Sequence, residues 1–236
     1  MLYLHSLFDR ARGPSVPRDP SFDKVSVLLS LDNNLVDAKN NLFTPTGTIL
    51  YDTGKFDSCL KLLSGDSGIV CNDSIPSLGF GTGDFTVETW IKSNLTQSQS
   101  ESVLISFYDS FSNISNGWQL IVTSAGVPIW YNYIVGQGGV YTMTATGINI
   151  LDNTWKHIAV TRSNSFLRMF VNGVMVSSAG DIINHGTSGL KLSIGMQIQG
   201  GARYPFRGLI DETRIKHNIA LYTSDFIPPT IPFPRR

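Results

Sequence analysis

Apolar residues along this chain either alternate with polar ones or gather in short runs, and no stretch keeps them at helical spacing for three turns. Segments 25–31, 58–62, 85–92, 102–108, 118–124, 127–135, 140–148, 156–162, 166–173, 174–178, 190–196 and 206–216 are short and rich in β-branched and aromatic residues. Gly, Asn, Asp or Ser clusters separate them at intervals typical of a sandwich or barrel. Asn172-Gly173, between FLRMFV and VMVSS, predicts a tight hairpin, because both residues accept the positive φ angles of a type I′ turn. Segment 211–222 leaves room for at most one short helical turn. Pro128 and Pro205 fall near strand starts, where a missing backbone donor does least harm. No internal repeat recurs at a fixed period. The pattern predicts an all-β chain, with Trp90, Trp155, Phe170, Leu209 and Ile210 as core candidates.

Proline divides the 236 residues. Seven of the 11 prolines lie in the first twenty or last nine positions, together with five arginines. Proline fixes φ and donates no hydrogen bond, so 1–22 and 228–236 read as extended arms flanking a body at 23–227. The arms are expected to be held by neighbouring subunits or a partner in an assembly, through Leu4, Phe8, Arg10, Arg12 and Arg18; the alternative is that they lie back across their own sandwich.

Charge narrows the function. Eighteen basic and 18 acidic residues cancel, and charged residues are only 15% of the chain, which lacks the basic footprint of a nucleic-acid binder. The first thirteen residues lack the basic start of a signal peptide, and no apolar run approaches the roughly 20 residues of a membrane span, so no membrane insertion is expected. A hairpin could bring Cys59 and Cys71 near one another, but two cysteines are too few for a disulfide framework, and reduced thiols are expected.

Three stretches carry a family resemblance: GTGDFTVETWIK (81–92), DNTWKHIAVTRSNSFLRMFVNGVMV (152–176) and FRGLIDETRIKHNIALY (206–222). They resemble the signature strands of laminin-G-like, concanavalin A-like domains. The start of the body and the ending ALYTSDFIPPTIPFP are similar to the variant found in bacteriophage virion and tail proteins. The resemblance spans roughly residues 19–234 and implies a two-sheet antiparallel jelly-roll β-sandwich with extended N- and C-terminal arms. It also implies three chemistries to test against the residues.

Catalysis finds little support. Glycan-cleaving relatives need paired carboxyl groups, one to protonate and one to attack or activate water. This chain has three glutamates, Glu88, Glu101 and Glu212, none at the required spacing. Asp211 and Glu212 are adjacent, which on a regular strand sends them to opposite faces. His157 reads as a residue packed beside a strand rather than a base. Calcium is the second chemistry. The loop LDNNLVDAKNN offers Asp32 and Asp37, and Asp211 lies in a motif that supplies a calcium ligand in similar domains. The alternative is that Asp and Asn are there to form turns. Glycan binding is the third. Segment 129–143 concentrates Trp130, Asn132, Tyr133, Gln137 and Tyr141, the mix of aromatic faces and amides that sugars use. Alternation puts Trp130 and Asn132 on one face and Tyr131 and Tyr133 on the other, so about half of these aromatics must be core.

Two function classes follow. One is a non-enzymatic virion-associated structural or decoration protein, contacting other virion proteins and copies of itself. The other is a glycan-binding protein for adhesion or receptor recognition on host-surface or environmental glycans. A glycoside hydrolase is a minor alternative, and a cellular lectin is weakened by the missing signal peptide. One domain between two arms, with no shaft repeats before it, favours the first.

Overall fold

The computed structural model describes residues 18–236 apart from 64, 98, 109–116, 135–138, 187–188 and 199–203. Among the described residues fifteen strands form two antiparallel sheets. The larger sheet contains β1 (Val25–Leu29), β3 (Leu50–Thr53), β4 (Ser58–Leu62), β6 (Phe85–Lys92) and β11 (Lys156–Ser163). It is completed by β12 (Phe166–Val171), β13 (Val174–Gly180) and β15 (Gly208–His217). Its order is β13-β12-β11-β6-β15-β4-β3, with β1 also paired to β15. The smaller sheet contains β2 (Phe43–Thr46), β5 (Gly68–Cys71), β7 (Glu101–Phe107), β8 (Gly117–Thr123), β9 (Pro128–Ile134), β10 (Gly139–Thr144) and β14 (Leu192–Ile194). Its order is β10-β9-β8-β7-β14-β5-β2. This is the jelly-roll sandwich that the strand pattern and the resemblance both predict.

The core lies between the sheets and is strongly aromatic. Trp118 stacks on Trp130 at 5.1 Å and on Phe80 at 5.3 Å, and Phe80 stacks on Phe85 at 4.3 Å. Of the five core candidates, Ile210 joins the core between the sheets, Trp90 and Phe170 are buried on the outer face of the larger sheet, and Trp155 and Leu209 are only half-buried. Trp155 lies just before β11 and Leu209 faces outward from β15, so neither enters the space between the sheets.

Asn172 and Gly173 have φ of 50° and 80° and join β12 to β13 as the expected hairpin. Residues 211–217 continue β15 and form no helical turn. Two strands, β2 and β3, fall outside the segments that the sequence pattern predicts, and β5 enters it only as one arm of the Cys59–Cys71 hairpin. The first of these carries Pro45 but stands at the sheet edge, where a missing donor is tolerated. The neighbouring segments β4 and β5 enter different sheets rather than forming a hairpin, and Cys59 and Cys71 are both free and buried. Burial, with the nearby charges of Asp211 and Asp52, pushes the Cys59 thiol up to about 12, which makes it a poor nucleophile.

The C-terminal segment, 218–236, is not free. It crosses the outer face of the larger sheet as a strap. Tyr222 and Phe226 stack at 3.5 Å over Phe170 and His157. Phe233 is buried beneath the Arg214 guanidinium, 4.0 Å from its ring centroid, and donates its backbone N–H to Glu212. The N–H of Asp19 reaches the carbonyl of Arg236. The expectation that a neighbour holds the C-terminal arm is therefore corrected: the chain's own sheet holds it. Leu4, Phe8, Arg10 and Arg12 lie outside the described residues, and Arg18 is exposed.

Candidate functional site

The two faces of β9 divide the residues singled out in the sequence. Trp130 and Asn132 turn inward and are fully buried, Trp130 in the aromatic stack and Asn132 against His185, whose Nδ1 lies 2.8 Å from its Oδ1. That imidazole continues to Asp181 at 2.5 Å, and Asp181 accepts from Arg162 at 2.8 Å. The expectation that Trp130 and Asn132 contact a sugar is thus corrected, since the pleat spends both on the core. Tyr141 pairs with Asn132 across β10, is half-buried, and donates its hydroxyl to the Gly180 carbonyl at 3.1 Å. Gln137 lies outside the described residues.

Tyr133 faces the other way, with Tyr131. On the outer face of the smaller sheet, strand pairing lines up one row across all seven strands: Thr44, Val70, Ser193, Ser106, Gln119, Tyr131 and Thr142. The Gln119 amide donates to Ser106 at 2.9 Å and to the Gln197 side chain at 3.1 Å. Tyr108 closes over this row, its ring 5.8 Å from those of both Tyr131 and Tyr133. Gly117 makes that approach feasible, because a Cβ there would lie 3.0 Å from the Tyr108 ring and 2.9 Å from its Cα. Burial pushes the Tyr131 phenol up, opposed by a hydrogen bond with Tyr108 and reinforced by Glu101, Tyr133 and Tyr204 nearby. The result is a half-exposed pair, Tyr131 and Tyr133, above a buried polar row in which Ser193, Ser106 and Gln119 bond to the protein itself. Of these residues the sequence singled out only Tyr133 as a sugar contact; alternation also placed Tyr131 beside it, but Tyr108, just after β7, and Gln119, on β8, join them only through the pairing of β7, β8 and β9.

A second group of polar residues lies under the strap. Glu88 is fully buried and accepts from Arg214 at 2.8 Å, from the Tyr222 hydroxyl at 2.9 Å and pairs with His157 at 3.1 Å. Burial works to raise its pKa, but the Arg214 charge and the His157 hydrogen bond prevail and hold it at about 2. An ionised, pinned carboxylate cannot serve as a general acid.

The metal candidates separate. Asp37 spends its carboxylate on the N–H groups of Leu28, Lys39 and Asn41 and on the Asn41 amide, so it is a loop organiser. Its place in a calcium set is corrected on that ground. Asp211 and Glu212 differ from the strand expectation as well. A β-bulge, with Glu212 at φ 47°, breaks the alternation and makes the two carboxyls one electrostatic group with Asp32. Burial first, and the neighbouring acids second, raise Asp211 to about 7 and Glu212 to about 8. Asp211 Oδ2 accepts from Lys55 and Phe56 N–H, but its Oδ1 is buried with no partner. A Cβ on Gly54 would sit 2.6 Å from the carbonyls of Phe56 and Ser58 and 2.7 Å from Asp211 Oδ2, so three oxygens converge there. No group of three His, Cys, Asp or Glu with metal-holding geometry occurs among the described residues. The oxygens that do converge, Asp211 and the carbonyls of Phe56 and Ser58, are of the type that a hard cation such as Ca²⁺ takes.

Comparison with known proteins agrees with this architecture. No curated protein sequence matches. Among solved structures, the binding domain of Paraclostridial Mosquitocidal Protein 1 superposes with a TM-score of 0.66 at 17% identity, covering 84% of this chain and 50% of that one. Domain 4 of AbnA, a GH43 extracellular arabinanase from Geobacillus stearothermophilus solved with arabinotriose, gives 0.63 at 22% identity and covers 82% and 92%. The receptor binding domain of botulinum neurotoxin D gives 0.61 at 19% identity, covering 84% and 50%. The chain spans about half the length of the two toxin domains. The two toxin domains are binding domains by name, and at these identities all three establish a shared fold. Among the described residues no helix is long and apolar enough to cross a membrane. The sequence profile described as the concanavalin A-like lectin/glucanases superfamily matches residues 64–222, two thirds of the chain, and the chain belongs to that superfamily.

Proposed function

We propose that this chain is a non-enzymatic glycan-binding module, and that the outer face of its smaller sheet is the binding surface. The observation that carries the reading is the half-exposed pair Tyr131 and Tyr133, backed by the buried Tyr108 ring and flanked by the exposed Thr142 hydroxyl. Aromatic faces stack on sugar C–H groups, and amides and hydroxyls exchange hydrogen bonds with sugar hydroxyls. The arabinanase domain, covered almost end to end, was solved with arabinotriose, which supports a saccharide ligand for a fold of this size. Absence of catalysis is supported by the closure of Asp211 and Glu212 under neighbouring chain and by the pinned Glu88. A glycan array should show saturable binding that Tyr133→Ala weakens by about tenfold, the scale of one well-packed aromatic contact. Unchanged binding by Tyr133→Ala and Tyr131→Ala together would refute the assignment.

The finer reading places this module on a bacteriophage particle, as a decoration or tail protein among other virion proteins. It rests on the sequence resemblance at both ends of the domain, and on the predicted N-terminal arm, 1–22, of which Asp19 and Ser21 are held by Arg214 and Lys216 of the chain's own sheet and 1–17 are left as the tether. A chain lacking residues 1–17 should fold and bind glycan yet be absent from purified particles. A structural Ca²⁺ held by Asp32 and Asp211 belongs to the same reading, supported by the orphaned Asp211 Oδ1.

A further inference from the structure

The outer face of the larger sheet is strapped along only part of its length. At the end near Gly208 it opens into a cleft of about 320 Å³, lined by Asp52, Lys61, Lys92, Asn94, Asn153 and Leu209 among others, with no residue of 218–236 in its wall. That volume lies at the lower end of small-molecule sites, roughly 300–1,000 Å³.

Its floor follows from strand register. Leu209 on β15 pairs with Lys61 on β4 and with Lys92 on β6, so the two lysines flank it. One strand separates them, which puts their backbones about 10 Å apart, near the width of a sugar with its substituents. Gly208 lets the rim close in, since a Cβ there would lie 2.7 Å from Ser93 Cβ and 2.8 Å from the Lys92 carbonyl. The rim is pinned. Ser93 Oγ donates to the Arg207 carbonyl at 2.6 Å, Gln97 exchanges hydrogen bonds with Arg207 at 2.8 and 3.0 Å, and the Asn153 N–H reaches the Ser93 carbonyl at 3.0 Å. Arg207 is itself committed to the carbonyls of Leu63 and Thr96. The walls are therefore in place before any ligand arrives.

Charge gives the ligand class. Lys61 is neutralised by Asp52 at 2.6 Å. Lys92 forms no ion pair among the described residues, and two ammonium groups against one carboxylate leave one positive charge in the cleft. One unbalanced charge matches a single carboxylate better than a phosphate, which has neither a glycine-rich cradle nor a second free cation here. Asn94 and Asn153 offer amides to hydroxyls, and Leu63, Leu95 and Leu209 offer an apolar surface to ring C–H groups.

We propose that this cleft is a second saccharide site, separate from the tyrosine face and selective for a uronate, with the carboxylate on Lys92 and ring hydroxyls on Asn94 and Asn153. The test is a titration of isotope-labelled protein with trigalacturonate, followed by amide and lysine Nζ resonances, beside its methyl ester. Trigalacturonate should shift Asn94, Asn153 and Lys92 saturably, and the ester should bind at least about tenfold more weakly, as expected for loss of one charge-assisted hydrogen bond. Lys92→Gln should give the same loss with the free acid, and added salt should weaken binding. Tyr133→Ala should leave this site unchanged, which separates it from the proposed function. Equal binding of acid and ester, absence of saturable shifts at the cleft, or full binding by Lys92→Gln would overturn the proposal.

Discussion

Glu88 shows how one residue can hold two parts of the molecule together. It sits in the middle of β6, and its carboxylate ties Arg214 of β15, His157 of β11 and Tyr222 of the strap into one buried group. Removing it strands a guanidinium out of water, so Glu88→Ala should cost about 3–5 kcal/mol, measured by denaturant unfolding. The sign of its pH dependence follows from its pKa of about 2, below the ordinary 4.5 of an unfolded glutamate. Its contribution is complete above about 4.5 and is lost as pH falls from there towards 2. An acid titration of the melting temperature should show that loss, and Glu88→Gln should flatten it over the same window. Among the aromatics, Trp118 is fully buried with its indole N–H on the Leu78 carbonyl at 2.9 Å, so Trp118→Ala should cost about 3–5 kcal/mol. The half-buried Trp155 should cost less. If the two variants unfold alike, the division of the core described above is wrong.

Among the elements, legibility followed local physics. The hairpin at Asn172-Gly173 was readable because its cause is local, two residues that accept positive φ. Strand β9 was readable as a pleat, but alternation is symmetric, so the sequence could not say that Trp130 faced the core and Tyr133 the outside. That choice depends on which sheet β9 joins. The bulge at Glu212 and the short edge strand with Pro45 were hidden for the same reason, being set by partners distant in sequence. The strap left one indirect trace. β6 is buried along seven of its eight residues, Phe85 to Ile91, on both faces, and the sequence shows it only as Thr86, Glu88 and Trp90 alternating with Phe85, Val87, Thr89 and Ile91. Gly173 belongs to both hairpin and strap, since a Cβ there would collide with the Phe226 carbonyl, and the Phe226 N–H donates to the Gly173 carbonyl at 2.9 Å. Gly173→Ala combines positive φ with that collision, and should destabilise by about 1–3 kcal/mol. Stability unchanged from the parent would show that the strap is not seated on the hairpin.

For the whole molecule, the carboxyl group at Asp32, Asp211 and Glu212 is where distant parts of the chain meet. Asp32 follows β1 and accepts the Ser58 N–H at 3.2 Å, Asp211 anchors the turn before β4, Glu212 holds Phe233 of the strap, and Arg235 approaches Asp32 at 3.5 Å. Three acids gathered around one approaching arginine, with Asp211 and Glu212 both raised, are short of positive charge, and a bound cation would supply it. An ion that bound the folded chain and not the unfolded one would stabilise it by mass action. Chelation should therefore lower the melting temperature, and excess Ca²⁺ should restore it with a concentration dependence that the paired substitution Asp32→Asn and Asp211→Asn removes. Asn keeps the volume and the acceptor oxygen, so the paired variant without calcium should melt no lower than the chelated parent, having shed the repulsion between the acids. A melting curve indifferent to chelator in the parent would mean that the protons on Asp211 and Glu212 suffice, and that this corner is closed by packing of the strap rather than by an ion.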